Sequence, residues 1–332
     1  HEHPLELSLG LFKSRRWELL DLVSLIHFGG FIHSTNMTAE LLTAELVGTL
    51  GRDLAAQILP LSRNPDRTGQ EYMSATLGSD AQTLGLKLTS SLTSPISAWI
   101  PRLGSNNWAV NESRSTTGAV IVVNDPHLDV RSMPGMLHPI GLQSPHIQAV
   151  GYAFPGVPGL IGGRTNHVAF GVTNAYGDVQ DLYVETVNPT NDNEYKSGTD
   201  WLTFERHEHT FNVRDSSKEA GYRVERVQYR KTIHGIVASD LGLFDDKLPG
   251  LDISLRWALD EGNRGGIGVV SMMYAKDVFE FDQALAEFDT VMFNFVFGDT
   301  KGNIGRRSTG RIPIRSDKNG AYIKDGATVG SH

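Results

Sequence analysis

The segment GSNNWAV, residues 104–110, places a serine directly after a glycine, followed by two asparagines and a tryptophan. A Gly-Ser pair is most often a turn. Ser105, however, lacks the Gly-x-Ser-x-Gly pattern of a nucleophile elbow. It begins the strand-rich half of the chain, and the stretch before it has the composition of a dispensable linker. These features fit a serine that becomes a chain terminus when the Gly104–Ser105 bond is cleaved.

A serine at a chain terminus has its own base. A free α-amine has a pKa of about 8, so its neutral form is available near neutral pH. This amine accepts the proton of the serine hydroxyl, directly or through one water molecule. The terminus would form when the Ser105 hydroxyl attacks the Gly104 carbonyl in an N→O acyl shift and the ester hydrolyses. We expect Gly104 to lie in a strained turn with positive φ, which glycine tolerates.

Two alternatives stay open from the residues alone. The first is a Ser-His-Asp hydrolase, in which a histidine is the base; the candidates are His127, His138 and His146. The second is an inactive precursor or truncated fragment that acts only as a binding or structural module.

The composition limits the class of protein. The chain has 332 residues, a formal net charge of −8 and no cysteine. The acidic balance argues against nucleic acid as a partner. The lack of cysteine excludes disulfides, thiolate metal sites and a cysteine nucleophile. Residues 1–12 contain two glutamates and do not resemble a signal peptide. The apolar stretch 17–32 is short and carries charges, which indicates a buried helix rather than a membrane span.

The pattern of apolar residues divides the chain into three parts. Residues 1–60 are predicted to be helical, with an apolar residue at every fourth position from Leu42 until Pro60 ends the pattern. Residues 61–104 are rich in turn-forming residues and are predicted to be a linker. Residues 105–332 are strand-rich with at least one helix, which gives an α+β fold class.

The strand-rich part carries the more specific predictions. Strands are predicted over 118–123, 167–173 and 181–187, and a long strand or hairpin over 222–239. An amphipathic helix is predicted over 277–288. A hairpin over 290–308 is expected to turn at residues 299–302.

Five motifs follow one another in a specific order: GSNNWAV, VVNDPHLD (122–129), FPGVPGLIGGRTNHVAFGVTNAYGDVQDLYVE (154–185), FNFVFGDTKGNIG (293–305) and GRIPIR (310–315). The segment RRWELLD (15–21) lies upstream of them. Together they resemble the penicillin acylase (penicillin amidase) family of N-terminal-nucleophile hydrolases over nearly the whole chain.

The resemblance implies part of a four-layer αββα sandwich. Residues 1–60 would be an α-subunit segment, residues 61–104 a spacer peptide, and residues 105–332 a truncated β-subunit segment. The processed protein would be an α/β heterodimer, and its location would be periplasmic or extracellular.

The resemblance also assigns roles within a candidate active site. Ser105 corresponds to the N-terminal nucleophile. The backbone N–H of Asn174 and the side chain of Asn294 correspond to the two donors of an oxyanion hole. His127 lies near the nucleophile, and Arg315 corresponds to an arginine that could orient Asn294. From the residues alone, the favoured interpretation of Asn294 is a strand asparagine with a local hydrogen bond, and the alternative for Arg315 is a solvated arginine.

A small-molecule acyl amide is the substrate that the resemblance implies. The acyl pocket would include Gly30, Ser34 and Leu128. Because glycine and serine are small, this pocket would leave room for a long or bulky acyl group.

A calcium site is the last prediction. Asp178, the carbonyl of Gln180, and Asp181 offer oxygen ligands of the kind that Ca²⁺ prefers. The resemblance adds Glu40, and the ion would tie the helical part to the strand-rich part. The alternatives are turn chemistry for the aspartates and, for Glu40, an exposed position in the first turn of a helix, which the helix dipole favours.

Overall fold

The computed structural model describes residues 16–34, 36–58, 104–128, 135–243, 250–261, 264–316 and 320–328. The predictions for residues 1–15 and for the linker over 61–103 lie outside the described residues, so the division of the chain at these points stays a prediction. Within the described ranges, no helix is long and apolar enough to cross a membrane.

Helices make up the first part of the chain and recur near its end. They are α1 (Leu19–Ile32), α2 (Met37–Leu50), α3 (Arg52–Ile58), α4 (Gly265–Ser271) and α5 (Val278–Ala286). The helical pattern predicted up to Pro60 is divided between α2 and α3, because Gly51 has a φ of 76°. Helix α5 lies within its predicted range, and the Asp277 side chain caps it by accepting from two backbone N–H groups.

The strands lie between residue 104 and residue 325. They are β1 (Gly104–Val110), β2 (Ile121–His127), β3 (His138–Gln143), β4 (Gln148–Ala153), β5 (Gly162–Thr165), β6 (Val168–Asn174), β7 (Gln180–Asn188), β8 (Asn191–Ser197), β9 (Asp200–Thr203), β10 (Glu205–Arg214), β11 (Tyr222–Thr232), β12 (Gly235–Val237), β13 (Leu251–Trp257), β14 (Phe293–Asp299), β15 (Ile304–Ser308) and β16 (Lys324–Asp325).

Most of the predicted strands are found. Strands β6 and β7 occupy the ranges predicted for them, and the two predicted hairpins are β11–β12 and β14–β15. The strand predicted from residue 118 begins only at Ile121, because Gly118 has a φ of 66° and lies in the turn before it.

A six-stranded sheet, in the order β15-β14-β6-β5-β4-β3, forms the centre of the main core. Phe293, Phe295 and Phe297 alternate along β14 and are all buried. They share this core with Phe170 of β6 and Phe281 of α5. Because side chains on a strand alternate between its two faces, the residues between these phenylalanines point to the other side of the sheet.

The hairpin β1–β2 covers that other side. A Cβ added at Gly171 of β6 would lie 2.6 Å from the Cβ of Asn124 in β2, and one added at Gly298 of β14 would collide with Val120. Such close approach needs glycine on the sheet. A helical layer, a sheet and a second β layer are therefore stacked, as expected for part of an αββα sandwich.

A second sheet joins the helical segment to the strand-rich part. Its order is β10-β11-β12-β13-β7-β8-β9, and β16 lies parallel to β7. Helix α2 packs on this sheet through Met37 and Leu41, which cluster with Leu182 and Ile253. The start of α2 is thereby held close to the first residues of β7.

Candidate active site

Ser105 is the second residue of strand β1. In the pairing of β1 with β2, Gly104 lies opposite His127 and Ser105 lies opposite Pro126. Ser105 is half-buried, and Gly104 is not among the glycines with positive φ. The expectation of a strained turn at Gly104 is therefore wrong, because the strand pairing extends through the Gly104–Ser105 bond.

Asn107, two residues after Ser105, holds β1 against the six-stranded sheet. Its side-chain Nδ2 donates to the carbonyl of Asn294 in β14 at 2.9 Å and to the carbonyl of Gly171 in β6 at 3.2 Å. One amide therefore bridges the two strands that carry the candidate oxyanion donors.

Asn124 holds strand β2 against strand β6 of the sheet. Its Nδ2 donates to the carbonyl of Val172 at 2.9 Å, and its Oδ1 accepts from the Val172 N–H at 2.9 Å. Nδ2 also donates to the carbonyl of Asn106, and the hydroxyl of Tyr152 donates to Oδ1. These hydrogen bonds hold the hairpin against β6.

These contacts explain two of the asparagines near the nucleophile. From the sequence, Asn107 and Asn124 received no role. The signal in the sequence is weak, since each asparagine lies among other polar residues, in GSNNWAV and in IVVNDPH.

Replacing Asn124 by alanine is expected to lower the free energy of unfolding by about 1–3 kcal/mol, because partly buried backbone groups lose their partners. The matched control is Asn212→Ala, which changes an exposed asparagine of β10. Urea denaturation of both variants measures the difference. Equal, small losses would show that the side chain of Asn124 does not hold the hairpin.

A cavity opens beside Ser105. Its polar lining includes Ser105, Asn174 and His33, and its apolar lining includes Leu128, Leu137, Phe154, Ile161 and Phe293. The walls come from the end of α1, the hairpin β1–β2, and the sheet strands β4, β6 and β14. A mostly apolar cavity with a few polar groups at one place is typical of a small-molecule site.

Of the three predicted pocket residues, the structure places Leu128 in this lining. Gly30 instead packs against another part of the chain, since a Cβ there would collide with the carbonyl oxygen of Thr290. The Ser34 hydroxyl is buried and donates to the Gly30 carbonyl at 2.7 Å. The two small residues therefore serve packing and do not widen the cavity.

Helix α1 presents larger residues to the cavity in their place. Ile32 and His33, at the end of the helix, both line it. The ring of His33 contacts the edge of the Phe293 ring, with the ring centroids 5.1 Å apart. The end of α1 thus closes one side of the cavity.

His127 does not reach the cavity. Residues directly opposite each other in an antiparallel pair share a face, so His127 lies on the face of Gly104 and Pro126 on the face of Ser105. The His127 Nε2 lies 3.1 Å from a carboxylate oxygen of Asp125, and both side chains are exposed. The structure therefore does not place His127 where a catalytic group would act.

Asn174 ends strand β6 at the cavity. The Ala175 N–H donates to the carbonyl of Met292 at 3.1 Å, and the alternation of antiparallel pairing then directs the Asn174 N–H away from β14. The side chain is held in place, because Oδ1 accepts from the Tyr176 N–H and Nδ2 donates to the carbonyl of His33. Strand pairing therefore sets the direction of the Asn174 N–H, whatever its side chain contacts. A backbone donor of an oxyanion hole needs such a fixed direction.

Asn294 lies between two buried phenylalanines on β14, and its side chain points to the face that carries the hairpin. It lies next to the cavity lining, since it pairs with Thr173, which is part of that lining. The Ser308 hydroxyl donates to Asn294 Oδ1 at 2.6 Å, and Arg306 donates to the same oxygen at 3.4 Å.

The direction of the Asn294 amide follows from these contacts. With Oδ1 accepting two hydrogen bonds, Nδ2 is the donor side of the amide. A local hydrogen bond was the alternative role of Asn294. This bond, from the Ser308 hydroxyl, is present, and it orients the amide. A local role and a donor role are therefore compatible.

Arg315 does not contact Asn294. Its Nε donates to both carboxylate oxygens of Asp181, at 2.8 and 3.0 Å, and its Nη2 donates to Asp178 Oδ1 at 2.9 Å. The predicted orientation of Asn294 by Arg315 is not found, because Arg315 is engaged with the acidic motif. No local pattern indicates this contact, since the two segments are separated by more than a hundred residues.

The predicted calcium ligands lie close together, with Arg315 between Asp178 and Asp181. The carbonyl of Gln180 accepts from the Asn36 amide at 2.8 Å. Among the residues that the structure describes, no group of three or more His, Cys, Asp and Glu side chains is arranged to hold a metal ion.

Glu40 is the fourth predicted ligand, and it is fully buried. Burial, with the negative charge of Asp181 nearby, raises the pKa of its carboxyl well above the ordinary value. The alternative to a ligand role was an exposed glutamate in the first turn of α2. That alternative is wrong, because Glu40 lies in this turn but is buried, and the Leu182 N–H donates to its Oε2 at 3.0 Å.

His33, at the edge of the cavity, gives a pH prediction. Its Nδ1 lies 2.7 Å from the carbonyl of Gly29, so this nitrogen carries the proton. Burial lowers the pKa of His33 below its ordinary value. The unfolded chain therefore binds a proton first as pH falls below about 6.5, and folding stability is lost in that range. The contribution is fully present above about 6.5.

We expect the free energy of unfolding to fall between pH 7 and pH 5 by more in the wild type than in His33→Gln. The slope from this one group is at most about 1.4 kcal/mol per pH unit. His146→Gln, at an exposed position, is the control and should keep the wild-type slope. Identical slopes in all three proteins would contradict the assignment.

The fold is that of an N-terminal-nucleophile hydrolase. A thermostable penicillin G acylase from Alcaligenes faecalis superposes with a TM-score of 0.55 at 20% identity, over 67% of this chain and 38% of that chain. This likeness confirms the fold class predicted from the sequence.

The family described as penicillin amidase matches residues 1–330, and the chain therefore belongs to this family. An acyl-homoserine lactone acylase, QuiP, of Pseudomonas aeruginosa is 27% identical over 97% of this chain and 38% of its own length. The penicillin acylase 2 proenzyme of Pseudomonas sp. strain SE83 is 29% identical over 65% of this chain and 27% of its own length. The chain thus spans less than half the length of these relatives.

Proposed function

We propose that the protein is an amidohydrolase that cleaves a linear amide through an acyl-enzyme on Ser105. The observation that carries the proposal is the position of Ser105 at an apolar cavity whose lining also includes Asn174. Membership of the penicillin amidase family supports an acylase. Asn294, on the neighbouring strand, completes the proposed site.

The proposed reaction follows from these groups. The Ser105 hydroxyl attacks the substrate carbonyl, and the free α-amine of the same residue accepts its proton. The Asn174 N–H and the Asn294 Nδ2 donate to the oxygen that becomes negative. The α-ammonium then protonates the leaving amine, which departs. A water molecule, deprotonated by the same α-amine, hydrolyses the ester and restores the hydroxyl.

This reaction requires cleavage before Ser105, because an amide nitrogen cannot accept the proton. We propose that the Ser105 hydroxyl attacks the Gly104 carbonyl, that the peptide bond becomes an ester, and that water hydrolyses this ester. The product is an α/β heterodimer whose β chain begins with SNNWAV, and the protein before cleavage is an inactive precursor. A periplasmic or extracellular location is part of the same proposal and rests on the family resemblance alone.

The substrate class follows from the cavity walls. Leucine, isoleucine and phenylalanine side chains line the cavity, which favours an apolar acyl group over a charged one. The relatives named for acyl-homoserine lactones and for penicillin support an acyl amide of a small molecule. The amine part of the substrate would extend from Ser105 towards solvent.

A chromogenic assay tests the proposal. The purified protein is incubated with phenylacetyl, octanoyl and succinyl p-nitroanilides, and release of the nitroaniline is recorded. We expect turnover of the two apolar substrates and little of the charged one. No turnover of any anilide by protein with an intact Ser105 would favour a non-catalytic binding or structural module.

A Ser-His-Asp mechanism is the second candidate, and the geometry gives it less support because His127 lies on the other face of the hairpin. His33 is the histidine that lines the cavity together with Ser105. Replacing His33, His127, His138 and His146 by asparagine, one at a time, separates the two mechanisms. The α-amine mechanism requires each variant to keep most of its turnover, whereas loss of turnover in one of them would identify a histidine base.

A further inference from the structure

Three carboxylates lie around Arg315, where the start of helix α2 lies against strand β7: Glu40, Asp178 and Asp181. We call them the acidic cluster. We propose that Arg315 takes the place of a metal ion at this cluster and that Lys324 completes the neutralisation. The positive charge is then built into the protein and is not acquired from solution.

The Arg315 guanidinium donates hydrogen bonds to both aspartates of the acidic cluster. The Arg315 side chain is 9% exposed and the Asp181 side chain 4% exposed. Both carboxylate oxygens of Asp181 accept from Nε, and Asp178 accepts from Nη2 through its carboxylate and, at 3.1 Å, through its backbone carbonyl. A planar guanidinium suits several acceptors at fixed positions better than a point charge does.

Lys324 brings a second positive charge to the acidic cluster. The Lys324 Nζ, on strand β16, lies 3.7 Å from an oxygen of Asp181, and its side chain is 2% exposed. Lys324 is held there because β16 pairs with β7 at Tyr183. Buried carboxylates need nearby positive charge, and these two cations supply it.

Amides of the protein engage further oxygens of the cluster. The Asn36 Nδ2 donates to Asp178 Oδ1 at 2.6 Å and to the Gln180 carbonyl at 2.8 Å. Its Oδ1 accepts from the Val179 and Gln180 N–H groups, each at 3.1 Å. Asn36 precedes α2, so this one side chain joins the helix to the first residues of β7, which is the connection that an ion would otherwise make.

One carboxylate oxygen of Glu40 is open. Its Oε2 accepts from the Leu182 N–H, whereas Oε1 is buried and has no hydrogen-bond partner among the described residues. Calcium binds six to eight oxygens. Arg315 and the Asn36 amide already engage oxygens of Asp178, Asp181 and Gln180, so calcium could bind through these oxygens only by displacing them.

The backbone at Gly320 lies against the cluster as well. A Cβ added at Gly320 would collide with the Asp178 carboxylate and would lie 2.8 Å from the Arg315 Cζ. Gly320 therefore lies directly against the arginine and the aspartate. This packing restricts the space between Asp178 and Arg315, although the Asp178 side chain is 38% exposed.

Calcium titrations followed by differential scanning calorimetry and isothermal titration calorimetry test the proposal. We expect the wild-type protein to show no change in Tm with EDTA or with millimolar calcium chloride. The variant Arg315→Gln should melt at a lower temperature. It should bind calcium at least about tenfold more tightly than the wild type, because one competing positive charge is removed, and calcium should restore part of the lost Tm.

Arg311→Gln is the matched control. Arg311 lies on the same segment, pairs with Asp289 at 3.2 Å and is half-exposed, so its loss should give no response to calcium. A wild-type protein that binds calcium and loses Tm in EDTA would overturn the proposal, and so would a folded Arg315→Gln variant without a calcium response. If this variant does not fold, the wild-type titration decides alone. Neither readout depends on amide turnover, so the proposal can fail separately from the proposed function.

Discussion

Replacing Ser105 by alanine is expected to abolish amide turnover and to leave the protein as one uncut chain. Both losses have one cause, since the same hydroxyl attacks the Gly104 carbonyl during maturation and the substrate carbonyl during turnover. Turnover of a p-nitroanilide and the intact mass of the protein are the two measurements. The expected rate is that of the uncatalysed reaction.

Two variants make this result specific. Ser113→Ala changes an exposed serine in the turn after β1, and it should leave cleavage and turnover unchanged. Ser105→Cys keeps a nucleophile, so cleavage can proceed while turnover is poor. If the Ser105→Ala protein still hydrolyses the anilide at the wild-type rate, the nucleophile lies elsewhere.

Replacing Asn294 by alanine is expected to lower kcat by about 10²–10³-fold, the usual effect of losing one oxyanion donor. The KM should change little, because this hydrogen bond is made mainly in the transition state. Initial rates with an octanoyl p-nitroanilide give both constants. The protein must first be shown by mass to be cleaved before Ser105, since a precursor would be inactive for another reason.

Ser308→Ala separates donation from orientation. The Ser308 hydroxyl holds the Asn294 amide through Oδ1, so its removal should lower kcat less than the loss of Asn294 does. A raised KM with an unchanged kcat in Asn294→Ala would instead assign Asn294 to substrate binding.

Local patterns in the sequence were sufficient to predict part of the fold. Alternating phenylalanines defined β14, and a 3.6-residue period with Asp277 at its start defined α5. Among the strands that were not predicted are β3, β5, β8 and β9. Their residues are rich in glycine and polar groups, and they form strands because neighbouring strands pair with them.

The motifs predicted which residues belong to the site, but not which contacts those residues make. Leu128, which directly follows β2, lies in the cavity lining, as the resemblance implied. The contacts of Arg315, Gly30 and Asn124 depend on how distant segments pack. Asn124, for example, contacts Val172 across 48 positions of sequence, and no local pattern specifies that pairing.

Ser105 is expected to become the first residue of a separate chain, and both the base and the nucleophile of the proposed mechanism depend on this. Edman sequencing of the purified wild-type protein, with the intact mass of each chain, tests it most directly. We predict two chains, of which one begins Ser-Asn-Asn-Trp-Ala-Val and carries a free α-amine. An active protein in which the Gly104–Ser105 bond is intact, or in which cleavage occurs at another bond, would contradict the mechanism.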